Sequence, residues 1–191
     1  VKAVERKEVL ELGEYEEVRE HFRRRVIELK RLRRVPLGGS LTVLFENRDT
    51  VLYQIQEMIR TERITREDAI LHELETYNEL LPGQDELSAT IFIEFPERVE
   101  RERMLFALAG IEQRFYLEVD GVRVAARNET RGSLPDRTTA VHYVKYPLGE
   151  GPARAVRSAK ANVVLGVDHP AYRAETTLVR RTLEEIANDL A

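Results

Sequence analysis

The chain contains no cysteine, which excludes disulfides, thiolate zinc sites, a cysteine nucleophile and a self-contained cysteine-ligated Fe–S cluster. It also lacks a long apolar run. Although 42% of the residues are hydrophobic, no stretch approaches the roughly 20 residues that a membrane-spanning helix needs, so a soluble protein is expected. The acid-rich segment from Val1 to Glu20 has none of the basic start, apolar middle and small-residue cleavage site of a secretory signal; the expected location is the cytoplasm. No Walker loop, Rossmann glycine fingerprint, G-x-S-x-G elbow or HExxH sequence occurs. Gly38-Gly39-Ser40 precedes a stretch that reads as a strand, whereas phosphate loops follow a strand and open a helix. It is therefore no nucleotide signal. Repeats, low-complexity tracts and linkers are missing too, and 191 residues suit a single domain over 1–191.

What the chain does have is charge, unevenly placed. Charged residues make up 34% and the net charge is -4, which gives no overall footprint for nucleic acid. Between Arg19 and Arg34, however, eight basic residues stand against Glu20 and Glu28 alone, while Glu5, Glu8, Glu11, Glu14, Glu16 and Glu17 dominate upstream. Tyr15 and Phe22 belong to the apolar stripe of this region and offer no base-stacking platform. Arg23, Arg24, Lys30 and Arg31 are thus candidate partner-binding residues, with pairing to the chain's own acidic segments as the competing role.

Tyr15, Val18, Phe22, Val26, Leu29 and Leu32 recur at three- and four-residue steps and predict an amphipathic helix ending near Pro36. Leu41 to Phe45 reads as a buried strand. Val51, Leu52, Ile55, Met58 and Ile59 mark a second helix capped by Asn47 or Asp49, and Ile70, Leu74, Tyr77 and Leu81 a third, ended by Pro82-Gly83. Ser88 to Phe95 alternates as a strand; a helix follows Pro96 and ends near Gly110. Asp120-Gly121 between two apolar runs predicts a type I′ hairpin. After a polar loop containing Gly132 and Pro135, Ala140 to Tyr146 and Asn162 to Val167 predict two strands separated by a loop with room for a helical turn. Leu178, Leu183, Ile186 and Leu190 predict a closing helix. The expected fold is α+β: a mainly antiparallel, or mixed, sheet of about five strands packed with four or five helices.

The run Leu44-Phe-Glu-Asn-Arg-Asp-Thr-Val-Leu-Tyr-Gln-Ile-Gln-Glu-Met-Ile-Arg-Thr-Glu-Arg63 resembles the signature of an uncharacterised bacterial domain-of-unknown-function family, number 3501. His72-Glu-Leu-Glu-Thr-Tyr-Asn78, Glu86-Leu-Ser-Ala-Thr90 and Asp168-His-Pro-Ala-Tyr172 extend the resemblance over nearly the whole chain. Genes of that family often stand beside those for rubrerythrin and a heterodisulfide-reductase-like Fe–S oxidoreductase. The resemblance therefore implies a redox or peroxide-stress module with a partner of one of those kinds, and it brings no catalytic residue.

Two constellations are candidates for chemistry. Glu46-Asn-Arg-Asp49 lies where a strand hands over to a helix, a junction at which ligand-binding groups gather. Glu46, Arg48, Asp49 and, about two helix turns further on, Glu57 are the catalytic candidates, against structural roles as caps and ion pairs. His72 and Glu75 share one helix face and can supply ligands to a divalent metal such as iron, zinc or manganese. A helical pair needs ligands from another element, and His142 and His169 are the candidates to complete the site. The leading expectation is a non-catalytic accessory or adaptor protein; the alternative is a small metal-dependent enzyme using the His/Glu set.

Overall fold

A computed structural model describes residues 1–128 and 136–190; the polar loop expected around Gly132 and Pro135 lies outside the described residues. Helix α1 spans Leu12–Arg33. Its inward seam runs through Tyr15, Phe22, Val26 and Arg33, while Val18 is 44% exposed, so the buried stripe takes Arg19 in place of Val18. Pro36 does follow the helix, yet it sits in strand β1 (Arg34–Leu37) opposite Thr42 of β2 (Leu41–Phe45). That strand is an edge, where a residue without an N–H does least harm.

Helix α2 (Arg48–Thr61) starts on a reciprocal cap: Thr50 N donates to Asn47 Oδ1 at 3.0 Å and Asn47 N to Thr50 Oγ1 at 2.9 Å. Asn47, not Asp49, is the capping residue. Helix α3 (Glu67–Asn78) then returns to β3 (Glu86–Ile93), which pairs antiparallel with β2. The connection makes no parallel crossover.

Helix α4 (Arg98–Ala107) precedes β4 (Phe115–Val119) and β5 (Val122–Ala125), joined at Asp120 (φ 47) and Gly121 (φ 86), the paired positive angles of a type I′ turn. Strand β6 (Arg127–Asn128) continues from β5 and pairs with β7 (Val141–Pro147). Helix α5 (Glu150–Arg157) occupies the stretch expected to be a loop with a helical turn. Strands β8 (Val163–His169) and β9 (Tyr172–Thr177) and helix α6 (Arg180–Ala187) complete the order.

All pairings among the described strands are antiparallel, in a five-stranded sheet β1-β2-β3-β7-β6 and a four-stranded sheet β5-β4-β8-β9. The fold is α+β. The sheets share one interior because residues 122–128 pair first with β4 and then with β7. On the other side, the Tyr172 hydroxyl of β9 donates to Leu37 O at 2.9 Å and accepts from Ser40 N at 3.1 Å. Gly38 makes this seam possible: its φ is +69°, and a Cβ there would lie 2.4 Å from Tyr172 Oη.

Alternate strand residues, among them Phe45, Ile91, Tyr146, Phe115 and Leu165, fill the interior together with side chains from α4, α5 and α6. A second apolar cluster, built on Val51, Ile55, Ile59, Ile70 and Leu74, packs α2 against α3. No helix among the described residues is long and apolar enough to cross a membrane.

Candidate functional site

Period-two alternation decides what lies outside the five-stranded sheet. Phe45 points into the interior, so Leu44 and Glu46 point out. Thr90 stands opposite Leu44 on one side and Tyr143 on the other, giving an outward row across β2, β3 and β7. Glu46 is 8% exposed; its backbone N donates to Ser88 O at 2.8 Å, and its carboxylate accepts hydrogen bonds from Thr50 Oγ1 of α2 and Thr90 Oγ1 of β3.

Lys30 of α1, Val51 and Gln54 of α2, and Leu80 after α3 close over this row to form a cleft of about 200 Å³, which Phe92 and Val141 also line. Lys30 Nζ lies 5.2 Å from the centroid of the Tyr53 ring, a cation–π distance. Among the described residues no carboxylate comes within 4.0 Å of that ammonium. Burial pushes the Lys30 pKa below the ordinary lysine value; Arg34 adds to the depression and Glu46 opposes it. Burial likewise holds the Tyr143 phenol above its ordinary value, with Tyr77 and Glu46 adding to the effect. The cleft thus offers a cationic donor, a buried carboxylate acceptor and apolar walls between them.

The other candidates at the junction have different work. Arg48 pairs with Glu8 and donates to Lys2 O at 3.0 Å and Ala3 O at 3.3 Å, so it ties the N-terminal segment down. Asp49 pairs with Arg25 of α1 at 2.8 Å. Glu57 receives Arg19 through two bonds of 2.8 and 2.9 Å and the Tyr15 hydroxyl at 2.7 Å. The Arg19 bonds lead in holding its carboxyl below the usual range. Glu57 therefore locks α1 to α2. Of the four catalytic candidates only Glu46 reaches the cleft.

The metal candidates do not converge. His72 and Glu75 are exposed on α3. His142 is buried, its Nε2 2.7 Å from Thr138 Oγ1, and burial lowers its pKa. His169 is also buried: its Nδ1 accepts from Ala171 N at 3.2 Å, which leaves Nε2 to donate to Ala109 O at 3.1 Å. Among the described residues no group of three or more histidine, aspartate or glutamate side chains is placed to hold a metal ion. Of the partner-binding candidates, Arg23, Arg24 and Arg31 are exposed, whereas Lys30 belongs to the cleft.

The model of the family described as "Protein of unknown function (DUF3501)" matches residues 3–190. The chain belongs to the DUF3501 family. It is also similar, at 34% identity over 100% of both chains and with a TM-score of 0.93, to a protein of unknown function from Burkholderia pseudomallei K96243, whose crystal structure was determined at 1.90 Å resolution. Comparison with curated proteins gives no match.

In this DUF3501 chain the structure also singles out residues that sequence reasoning passes over. Arg33 is 1% exposed; it donates to Phe45 O at 2.9 Å, Glu46 O at 3.3 Å and Glu185 O at 3.4 Å, and pairs with Asp189. Its signal was present, since Arg33 follows Val26 by seven residues on the inward seam. Thr90 and Phe92 were legible as one face of a strand, but not as a face that helices cover. Tyr143 carried no signal of its own.

Proposed function

We propose that the protein is a cytoplasmic, non-catalytic accessory protein that docks an acidic partner on the exposed face of α1. The observation that carries this reading is the division of labour among the cations of that helix. Arg19 and Arg33 are held in the fold by Glu57 and Asp189, and Arg25, itself 63% exposed, reaches across to Asp49 of α2. Among the described residues Arg24 and Arg31 reach only Glu20 at 3.6 Å and Glu28 at 3.3 Å, and all four side chains are 63–75% exposed. Exposed pairs of this kind contribute little to stability, so exchanging them for a partner's carboxylates costs little. Arg23 is exposed beside them. The family resemblance supplies the partner's kind: an Fe–S oxidoreductase or a rubrerythrin-like protein of a bacterial redox or peroxide-stress module.

The test is capture of such an oxidoreductase by the wild-type chain and by a triple variant, Arg23→Glu, Arg24→Glu and Arg31→Glu, from about 0.05 to 0.5 M salt. Lys30 is left intact because it faces the cleft. Capture that weakens with salt and disappears in the variant supports the reading. Equal capture by both proteins across the series refutes it.

A further inference from the structure

We propose that the cleft between α1, α2 and the outward face of the five-stranded sheet binds a small hydroxy monocarboxylate, with Lys30 holding the carboxylate and Glu46 accepting a hydrogen bond from the hydroxyl. The proposal stands independently of the docking face on α1.

Charge sets the first half of the assignment. A half-buried ammonium without a counter-ion is disfavoured, and Lys30 has no carboxylate within pairing distance among the described residues. The Tyr53 ring holds it in place. Arg34, 5.6 Å from the centroid of the cleft-lining Phe92 ring, adds a second cation on that side. A ligand carboxylate supplies the missing counter-charge.

Glu46 sets the second half. Each of its oxygens accepts one bond, from Thr50 and from Thr90, and each has a further lone-pair site. Both oxygens act as acceptors here, so what meets them next must be a donor, and a second ligand carboxylate would bring them none. Leu44, Val51, Leu80 and Val141 provide apolar walls for a short carbon skeleton. The volume of about 200 Å³ falls below the roughly 300–1,000 Å³ of sites for drug-sized ligands. It suits a three- or four-carbon acid.

The test is calorimetric titration of the full chain with lactate and 3-hydroxybutyrate, their hydroxyl-free counterparts propionate and butyrate, the diacid malate, and alanine. Lactate or 3-hydroxybutyrate should bind saturably and at least about tenfold tighter than its counterpart, as expected for a built hydrogen-bond partner; malate should not bind. Lys30→Met, which removes a charge that burial already disfavours, should fold and lose binding of every acid. Glu46→Gln should reduce the hydroxyl preference to less than about threefold. If Glu46→Gln melts below the assay temperature, Lys30→Met decides alone. Unaltered hydroxy-acid binding by Lys30→Met overturns the proposal. So does a wild-type chain that binds neither hydroxy acid, or that binds alanine more tightly than lactate.

Discussion

Replacing Arg33 by methionine should be among the most destabilising single changes in the chain. The guanidinium is 1% exposed and is the donor to three carbonyls, on Phe45, Glu46 and Glu185, as well as the partner of Asp189. Methionine fills much of the volume but leaves those acceptors facing an apolar side chain. Removing one member of a buried pair costs about 3–5 kcal/mol, and at this chain length each kcal/mol moves Tm by about 2–4 °C, so a fall of roughly 6–20 °C is expected. Burial pushes the Asp189 carboxyl up to about 6 against the opposing pull of Arg33. Its unfolded value is near 3.9, so the folded chain retains a proton that the unfolded chain has released. The stability this supplies is complete below the unfolded value and lost as pH rises through about 6. In Arg33→Met the opposing pull is gone and the carboxyl titrates higher still. The deficit should therefore grow from pH 6 to pH 8 and shrink toward pH 5. Urea titrations of both proteins at several pH values measure it, and adding Asp189→Asn to Arg33→Met should recover part of the loss at pH 8. A deficit below about 1 kcal/mol at pH 8, or one independent of pH, would refute the role given to Arg33.

Tyr172→Phe removes both hydrogen bonds across the β1–β9 seam, to Leu37 O and from Ser40 N. It should cost about 1–3 kcal/mol and accelerate hydrogen exchange at the Ser40 amide far more than at amides in the middle of β2. Similar exchange at both places would count against the seam. If the whole chain is one folding unit, as its length and the position of Arg33 between β2 and the C-terminal helices suggest, calorimetry should give a single transition with equal calorimetric and van't Hoff enthalpies. Two separable transitions would break that expectation.

How much of this was legible depends on how much each element says in its own residues. Asp120-Gly121 announces a turn that needs two positive φ angles, and it has them. Asn47 and Asp49 were equivalent as caps on paper; only the backbone geometry selects Asn47. Strand β9 was silent because Arg173, Glu175, Thr176 and Thr177 leave it no apolar row, its interior contacts coming from Tyr172 and Ala174. Helix α5 buries only Ala153 and Val156, too few residues to display a helical period. The cleft was half legible. Glu46 stood out at a strand-to-helix junction, but that Thr90 and Tyr143 join it follows from pairing registers between strands distant in sequence. The histidines carry no such register: His72 is exposed on α3, His142 and His169 are buried beside Thr138 and Ala109 O, and among the described residues no group of three or more metal-ligating side chains forms around them.

The phase of α1 explains why one basic block serves the fold, the cleft and the exposed face together. Successive residues turn by about 100°, so the neighbours Arg24 and Arg25 part company, one reaching only the exposed Glu20 and the other crossing to Asp49 on α2. Arg33, in phase with Val26, is carried wholly inside. Lys30 shares the phase of the exposed Arg23, seven residues before it, yet lies only about 60° around the helix from the buried Arg33, three residues after it, and it is half-buried at the border between the inward seam and the exposed face. A partner seated on Arg23 and Arg31 would therefore lie against the rim of the cleft. If both proposals hold, occupancy of the cleft is expected to change partner affinity, and linkage then requires the partner to change hydroxy-acid affinity by the same factor. Capture measured with and without saturating lactate, set beside lactate titration with and without the partner, gives two ratios that must agree. If both binding events occur and neither alters the other, the docking face lies elsewhere on α1 than beside Lys30.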